Sequence, residues 1–258
     1  MEISTKFDRS RRGRRLTLTE QVLEQLGQAI VAGKFDAGSF PTEAEISQLF
    51  QTSRSVTREA VKMLTAKGML QARPRSGITA QPPERWSLLD PDVLRWMLEK
   101  KFSHDLLRHF TEMRLGLEPE AAALAARHAT PAALKAIEQG LQRMVDAGQG
   151  KDDHLEADVA FHVAVLYATD NPFYAQLDEL ITTALKISIR VTNRIKGHTA
   201  SIPAHRRVFD AIKDRDEARA SAAMKAIIAE AGSLIAHEVD AQKKARGKHP
   251  GAAAKRAR

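Results

Sequence analysis

Apolar positions along this chain fall mostly at helical spacing. Val22, Leu23, Leu26, Ala29 and Ile30 stand at i, i+1, i+4, i+7 and i+8, one face of a helix opening after Thr19. Gly33 stands where a left-handed residue would close it. Gly38 and Pro41 mark a turn, and Thr42 with Glu45 three residues on forms a capping box for a short helix that turns Ile46, Leu49 and Phe50 inward. Gln51 to Ser53 separate it from the next helix, where Ser53 is the expected N-cap and Val56, Ala60, Val61 and Leu64 the apolar face. Leu70 and Ile78 then flank a Pro-Arg-Ser-Gly turn, which predicts a small hairpin.

The rest of the chain shows no alternating strand pattern. The stretch "QPPERWSLLDPD" carries three of the ten prolines and predicts a linker over 83–89, leading to a helix with Asp90 as N-cap and Pro91 in its first turn. Further helices are expected from Ser103 to about Ala129, from Thr130-Pro131 to Gly148, and from Asp152 to Asp170. Others should run from Asn171-Pro172 to about Lys196, from Pro203 onward, and from Asp216 to about Ala241. The expected fold is mainly α: a basic arm over 1–14, a winged helix-turn-helix over 15–82, an all-helical bundle over 90–241, and a polar tail over 242–258 without fixed structure.

Charge sharpens this division. The net charge of +8 resolves into +5 for residues 1–80, −4 for 81–240 and +7 for 241–258. A polyanion partner would therefore meet the ends of the chain. Cysteine is absent, which excludes disulfide and thiolate chemistry and suits a reducing cytoplasm. No apolar run approaches the ~20 residues of a membrane span, and no apolar segment follows the basic N-terminus as a secretory signal would.

A short helix, a tight turn and a second helix make a helix-turn-helix, here about Glu43 to Lys62. Arg54, Arg58 and Lys62 share one stripe, and Ser53, Ser55 and Thr57 add hydroxyls around its N-terminal end. In this motif those positions meet base edges in the major groove: arginine grips guanine with two hydrogen bonds, and hydroxyls serve bases or phosphates. The hairpin would act as a wing, with Arg73 and Arg75 near its tip.

In the bundle, "EADVAFHVAVL" places Asp158 and His162 at i and i+4 on one side of a helix. His205 opens a later helix, and Arg114 interrupts an alanine-rich one. A carboxylate, two imidazoles and a guanidinium meeting in the core would suit either a structural hydrogen-bond network or a ligand site. Zinc wants three or four ligands, and three are in view.

"GKFDAGSFPTEAEISQLFQTSRSVTREAVKMLTAKGML" resembles the winged helix-turn-helix of GntR-type bacterial regulators, over roughly residues 15–80. The resemblance implies DNA contacts from Arg54, Ser55, Thr57 and Arg58 and from the wing residues Arg75, Ser76 and Gly77. Where the family often carries arginine after Pro-x-Glu, this chain has Ala44. Residues 90–240, with "DVAFH", "DNPF" and "PAHRRVFDAIKDRD", are similar to the helical FCD effector domain of the FadR branch of that family. Its metal-binding members use Asp, His, His and His; Asp158, His162 and His205 match the first three, and Ile227 stands at the fourth.

"WSLLDPDVLRWMLE" further resembles the sugar-acid regulators of this branch. That implies a hexonate gripped by Arg114 through its carboxylate and by Asp158, His162 and His205 through its hydroxyls, with Arg190, Asn193 and Arg194 as weaker contacts. The expected protein is thus a homodimeric DNA-binding repressor on an inverted-repeat operator, released by a small organic acid, with a divalent metal at most weakly held. Two other readings compete: a metal-dependent hydrolase built on Asp158, His162 and His205, and an architectural DNA-binding protein without effector. The hydrolase lacks a nucleophile motif and a general base beside the three ligands, so no enzyme is expected. A dry apolar bundle core would favour the architectural reading.

Overall fold

The computed structural model describes residues 10–11, 14–35, 40–73, 77–100, 103–196 and 201–247, with backbone alone for 10–11, 14–15, 104, 190–196 and 237–247. Gly38, Arg75, Ser76 and the last eleven residues of the tail lie outside the described residues. The chain divides into two compact units, residues 1–102 and 103–258. Among the described residues no helix is long and apolar enough to cross a membrane.

The first unit opens with two short antiparallel strands, β1 (Ser10–Arg11) and β2 (Arg14–Arg15). Helix α1 (Leu18–Val31) follows. Its N-cap is Thr17, two residues ahead of Thr19: the Thr17 hydroxyl accepts from the Glu20 amide while the Glu20 carboxylate accepts from the Thr17 amide. The apolar pattern locates the face of a helix, but the reciprocal cap fixes its first turn. Thr42 and Glu45 form the expected capping box at the start of α2 (Glu43–Phe50). Gln51 takes the left-handed conformation, φ 50°, that closes α2, and Ser53 caps α3 (Arg54–Ala66) by accepting from the Val56 amide. Strands β3 (Leu70–Arg73) and β4 (Gly77–Ala80) pair antiparallel, with Ala72 opposite Ile78, and form the wing.

The expected linker is not free chain. Pro83–Arg85 form a single 3-10 turn, Trp86 is buried, and its indole N–H donates to the Gln81 carbonyl at 2.8 Å. Helix α4 (Pro91–Lys100) has Asp90 as its expected N-cap, accepting from the Val93 amide, but it packs on α1 in the first unit instead of opening the bundle. The fully buried Trp96 ring lies so close to Gly27 that a Cβ there would stand 2.4 Å from it. Lys67, just past α3, reaches Asp90 at 2.7 Å and Asp92 at 3.1 Å, and Arg95 grips Glu24 of α1 through both terminal nitrogens. The boundary expected at 83–89 therefore moves to about residue 102. Proline-rich composition marks where a helix starts, but not what the helix packs against.

The second unit is all helical among the described residues. It holds α5 (His104–His128), α6 (Pro131–Gly148), α7 (His154–Tyr167), a single turn α8 (Pro172–Ala175), α9 (Asp178–Lys196), α10 (Ile202–Lys213) and α11 (Glu217–Gly247). The one helix expected from Asn171 to Lys196 is broken after Ala175, and α11 runs on to Gly247, six residues into the expected tail. Helices α5 and α11 pack along each other, α6 packs on α7, and α10 lies against α5, α6 and α11. Gly140 sets the α6–α7 approach: a Cβ there would lie 2.9 Å from the Phe161 Cα. That close approach holds α7 deep in the bundle and fixes the helix that carries Asp158 and His162.

Candidate functional site

Two regions carry chemistry. The first is the N-terminal end of α3. Ser53, Arg54, Ser55 and Arg58 are all exposed there. Ser53 and Ser55 hydroxyls lie 2.8 Å apart, and the Arg58 Nε sits 3.4 Å from a Glu43 carboxylate oxygen. That exposed pair is a weak one that a phosphate or guanine can displace. Thr57 is a correction to the sequence reading: it is fully buried, its hydroxyl 2.9 Å from Ser47 Oγ and 3.4 Å from Thr52 Oγ1. It ties α3 to α2 and the turn between them, so it sets the angle of the motif and cannot touch DNA. Arg73 is exposed at the end of β3, opposite Gly77, whose φ is 76°.

The second region is a cavity of about 80 Å³ inside the bundle. It gathers Arg114 from α5, Asp158 and His162 from α7, and His205 from α10. Leu185, Ser188 and Ile189 of α9 and Ile227, Glu230 and Leu234 of α11 complete most of its wall. All four sequence-expected residues are nearly inaccessible to water. Ile227 lines the same cavity, as a fourth ligand position would. Arg190, Asn193 and Arg194 fall in the last turns of α9, where their side chains lie outside the described residues.

Glu118 was not legible as a site residue. It is 2% exposed, one helical turn beyond Arg114, and accepts from both Arg114 Nε and Arg114 Nη2. Its other oxygen contact is His162 Nδ1 at 2.5 Å. Burial alone would push the Glu118 carboxyl up, but Arg114 and His162 outweigh it and hold it at about 2. The i, i+4 spacing of Arg114 and Glu118 was the signal, but on a helix surface the same spacing is an ordinary solvated pair.

These contacts assign the imidazole protons. The Glu118 carboxylate accepts, so His162 Nδ1 carries hydrogen; the Ser201 carbonyl 2.9 Å from His205 Nδ1 accepts, so that nitrogen does too. Both Nε2 atoms then turn toward Asp158 Oδ1, at 3.5 Å from His162 and 3.1 Å from His205. Burial alone would raise the Asp158 carboxyl, but the two imidazoles hold it well below the usual carboxylate range. Burial would lower His162, yet the Glu118 charge and the Asp158 contact outweigh that and raise it to about 9. Asp158 Oδ1 and His205 Nε2 nevertheless make no aligned hydrogen bond. One donor atom from each of the three residues lies within 4.8 Å of the others, and the three are the one such group among the described residues.

A winged helix-turn-helix followed by a helical domain with a buried polar cavity defines a class: a transcription regulator with a DNA-reading unit and a sensing unit. Residues 18–79 match the family described as bacterial regulatory proteins, gntR family, and residues 109–230 match the FCD domain. The chain belongs to the GntR family and carries its FCD domain. It is 35% identical over 219 residues to the galactonate operon transcriptional repressor of Escherichia coli (strain K12), covering 83% of this chain and 95% of that one. It is 29% identical over 220 residues to the transcriptional repressor NanR of Klebsiella aerogenes, covering 82% of each. Among solved structures, one titled for Lar, which controls expression of the Listeria monocytogenes agr system, shares the fold at a TM-score of 0.57 and 18% identity, covering 87% of this chain and 99% of that one. The protein is a DNA-binding transcriptional regulator of GntR/FCD type, homologous to repressors of sugar-acid operons.

Proposed function

We propose that this regulator is a repressor that leaves its operator when a small sugar acid, such as a hexonate, enters the bundle cavity. The observation that carries the reading is Arg114. Glu118 occupies the Nε and Nη2 edge of its guanidinium, and no contact among the described residues engages Nη1. The Nη1–Nη2 edge remains to take a carboxylate with two parallel hydrogen bonds. Glu118 cancels the buried charge without blocking that edge, and it keeps the fork in one orientation. Asp158 and the histidines beside it supply acceptors and donors for hydroxyls. The polar cavity bears against the effector-less reading, which wanted a dry apolar core.

The same three side chains suit a divalent cation. Asp158 Oδ1 and His205 Nε2 make no aligned hydrogen bond, and a metal would engage both together with His162 Nε2. Asp158, His162 and His205 would hold the ion, which would add positive charge for an anionic effector to meet. Ile227 adds no ligand, so the site is weaker than a four-ligand one.

On DNA, two copies bound as a homodimer would place α3 of each in successive major grooves of an inverted repeat, with half-sites one turn or a multiple apart. The acid acts by binding better to an arrangement that misaligns them. The test uses an operator fragment selected from random DNA and fluorescence anisotropy. D-galactonate should release wild-type protein, whereas Arg114→Ala protein, assayed well below its lowered unfolding midpoint, should still bind the fragment and stay bound. Release of the Arg114→Ala protein at the same galactonate concentration would remove Arg114 from the mechanism.

A further inference from the structure

Serine and threonine inside helices ordinarily turn the hydroxyl back onto the carbonyl four residues earlier. This chain does so repeatedly: Thr65 donates to Val61, Thr111 to Leu107 and Ser233 to Ala229, at 2.9–3.0 Å. Ser188 of α9 departs from the habit. It is 4% exposed, yet among the described residues its hydroxyl makes no hydrogen bond, neither to its own helix nor across the bundle. It lines the cavity, flanked by Leu185 and Ile189 of the same helix, and Ile227, Glu230 and Leu234 of α11 share that lining. A hydroxyl shut away from bulk water is costly unless something in the cavity engages it. Two buried polar atoms of this cavity that make no aligned hydrogen bond, Asp158 Oδ1 and His205 Nε2, belong to two further helices, so a ligand that engages them and Ser188 must carry more than one hydrogen-bonding group.

We infer that the Ser188 hydroxyl binds a hydroxyl group of the acid held in the cavity and thereby selects polyhydroxy acids over plain carboxylic acids. The inference rests on the acid-binding reading of this cavity and adds the residue that sets its specificity. Arg114 answers to any carboxylate. Discrimination must come from groups that a plain acyl chain leaves unsatisfied, and an unpaired buried hydroxyl penalises a ligand that cannot reach it. Ser188 both donates and accepts, so it suits a hydroxyl of either orientation.

The experiment is calorimetric titration of the full chain with D-galactonate and with hexanoate, which has the same carbon count and no hydroxyls along its chain. Ser188→Ala should weaken galactonate binding about tenfold, the worth of one well-made hydrogen bond, leave hexanoate and operator binding unchanged, and not lower thermal stability. Ser188→Thr, which keeps a hydroxyl, should recover part of the galactonate affinity. Equal galactonate affinity in wild type and Ser188→Ala overturns the role of Ser188 while leaving the acid-binding reading intact. Equal losses for galactonate and hexanoate, or a threonine variant no better than alanine, also overturn it, because the hydroxyl would not be the cause. Wild-type protein that binds neither acid overturns both readings.

Discussion

Glu118 is the residue on which the cavity is built, and its removal tests that directly. It is buried between a guanidinium that donates to it twice and an imidazole nitrogen 2.5 Å away. In Glu118→Leu, Arg114 keeps its charge at 3% exposure with no counter-charge, and His162 Nδ1–H loses its acceptor. Breaking a buried pair from one side costs about 3–5 kcal/mol. Arg114→Met should cost a similar amount by stranding the carboxylate. The double variant removes both charges, and its remaining loss should be close to the ~1–3 kcal/mol of an unpaired His162 N–H. The two single losses together should therefore exceed the double loss by about 3 kcal/mol or more.

The assay must see the right unit. Both tryptophans, Trp86 and Trp96, lie in the first unit, so indole fluorescence is blind to the bundle. Urea unfolding followed by far-ultraviolet circular dichroism reports helices of both units, most of them in the second, with tryptophan fluorescence as a control for the first unit that should not shift. Losses that add to within ~0.5 kcal/mol would refute the reasoning, because independent residues behave that way.

Other outcomes follow from the same geometry. Arg54→Ala with Arg58→Ala should lower operator affinity roughly a hundredfold or more while leaving the unfolding midpoint in place, since each base-reading arginine contributes ~1–3 kcal/mol of discrimination; full footprint protection by the folded double variant would exclude α3 as the reading helix. Gly27→Ala drives a Cβ into the buried Trp96 ring and should cost ~1–3 kcal/mol; the tryptophan-monitored midpoint should fall and the bundle signal should not, and an unshifted midpoint would mean that α4 does not dock on α1 as described. Ile227→His should complete the ligand set and raise the zinc retained after dialysis against chelator, measured by elemental analysis; no rise would show that position 227 does not face Asp158, His162 and His205.

Much of this protein was present in its residue order. Caps such as Thr42 with Glu45 and Ser53 at α3, and apolar positions at helical spacing, act through near neighbours in the chain, so they survive reading one residue at a time. The stripe of Arg54 and Arg58 and the i, i+4 pair of Asp158 and His162 were visible for the same reason. What sequence could not decide is which face of a helix meets another helix. Thr57 reads as one more hydroxyl on a recognition helix, and the packing of α2 against α3 turns it inward. Helix α4 carries its own cap and period, yet whether it belongs to the DNA-reading unit depended on Trp96 finding the bare backbone of Gly27, more than sixty residues away. Glu118 follows the same logic. Its partner on its own helix is four residues away, but its partner on α7 is forty-four residues away. Gly140 leaves no Cβ between α6 and the Phe161 backbone, which sets α7 deep in the bundle. Burial then turned an ordinary surface spacing into a counter-charge for Arg114. Local hydrogen bonds and periodicity are written along the chain; burial is a property of the assembled helices, and it decided which of these charged groups form the cavity.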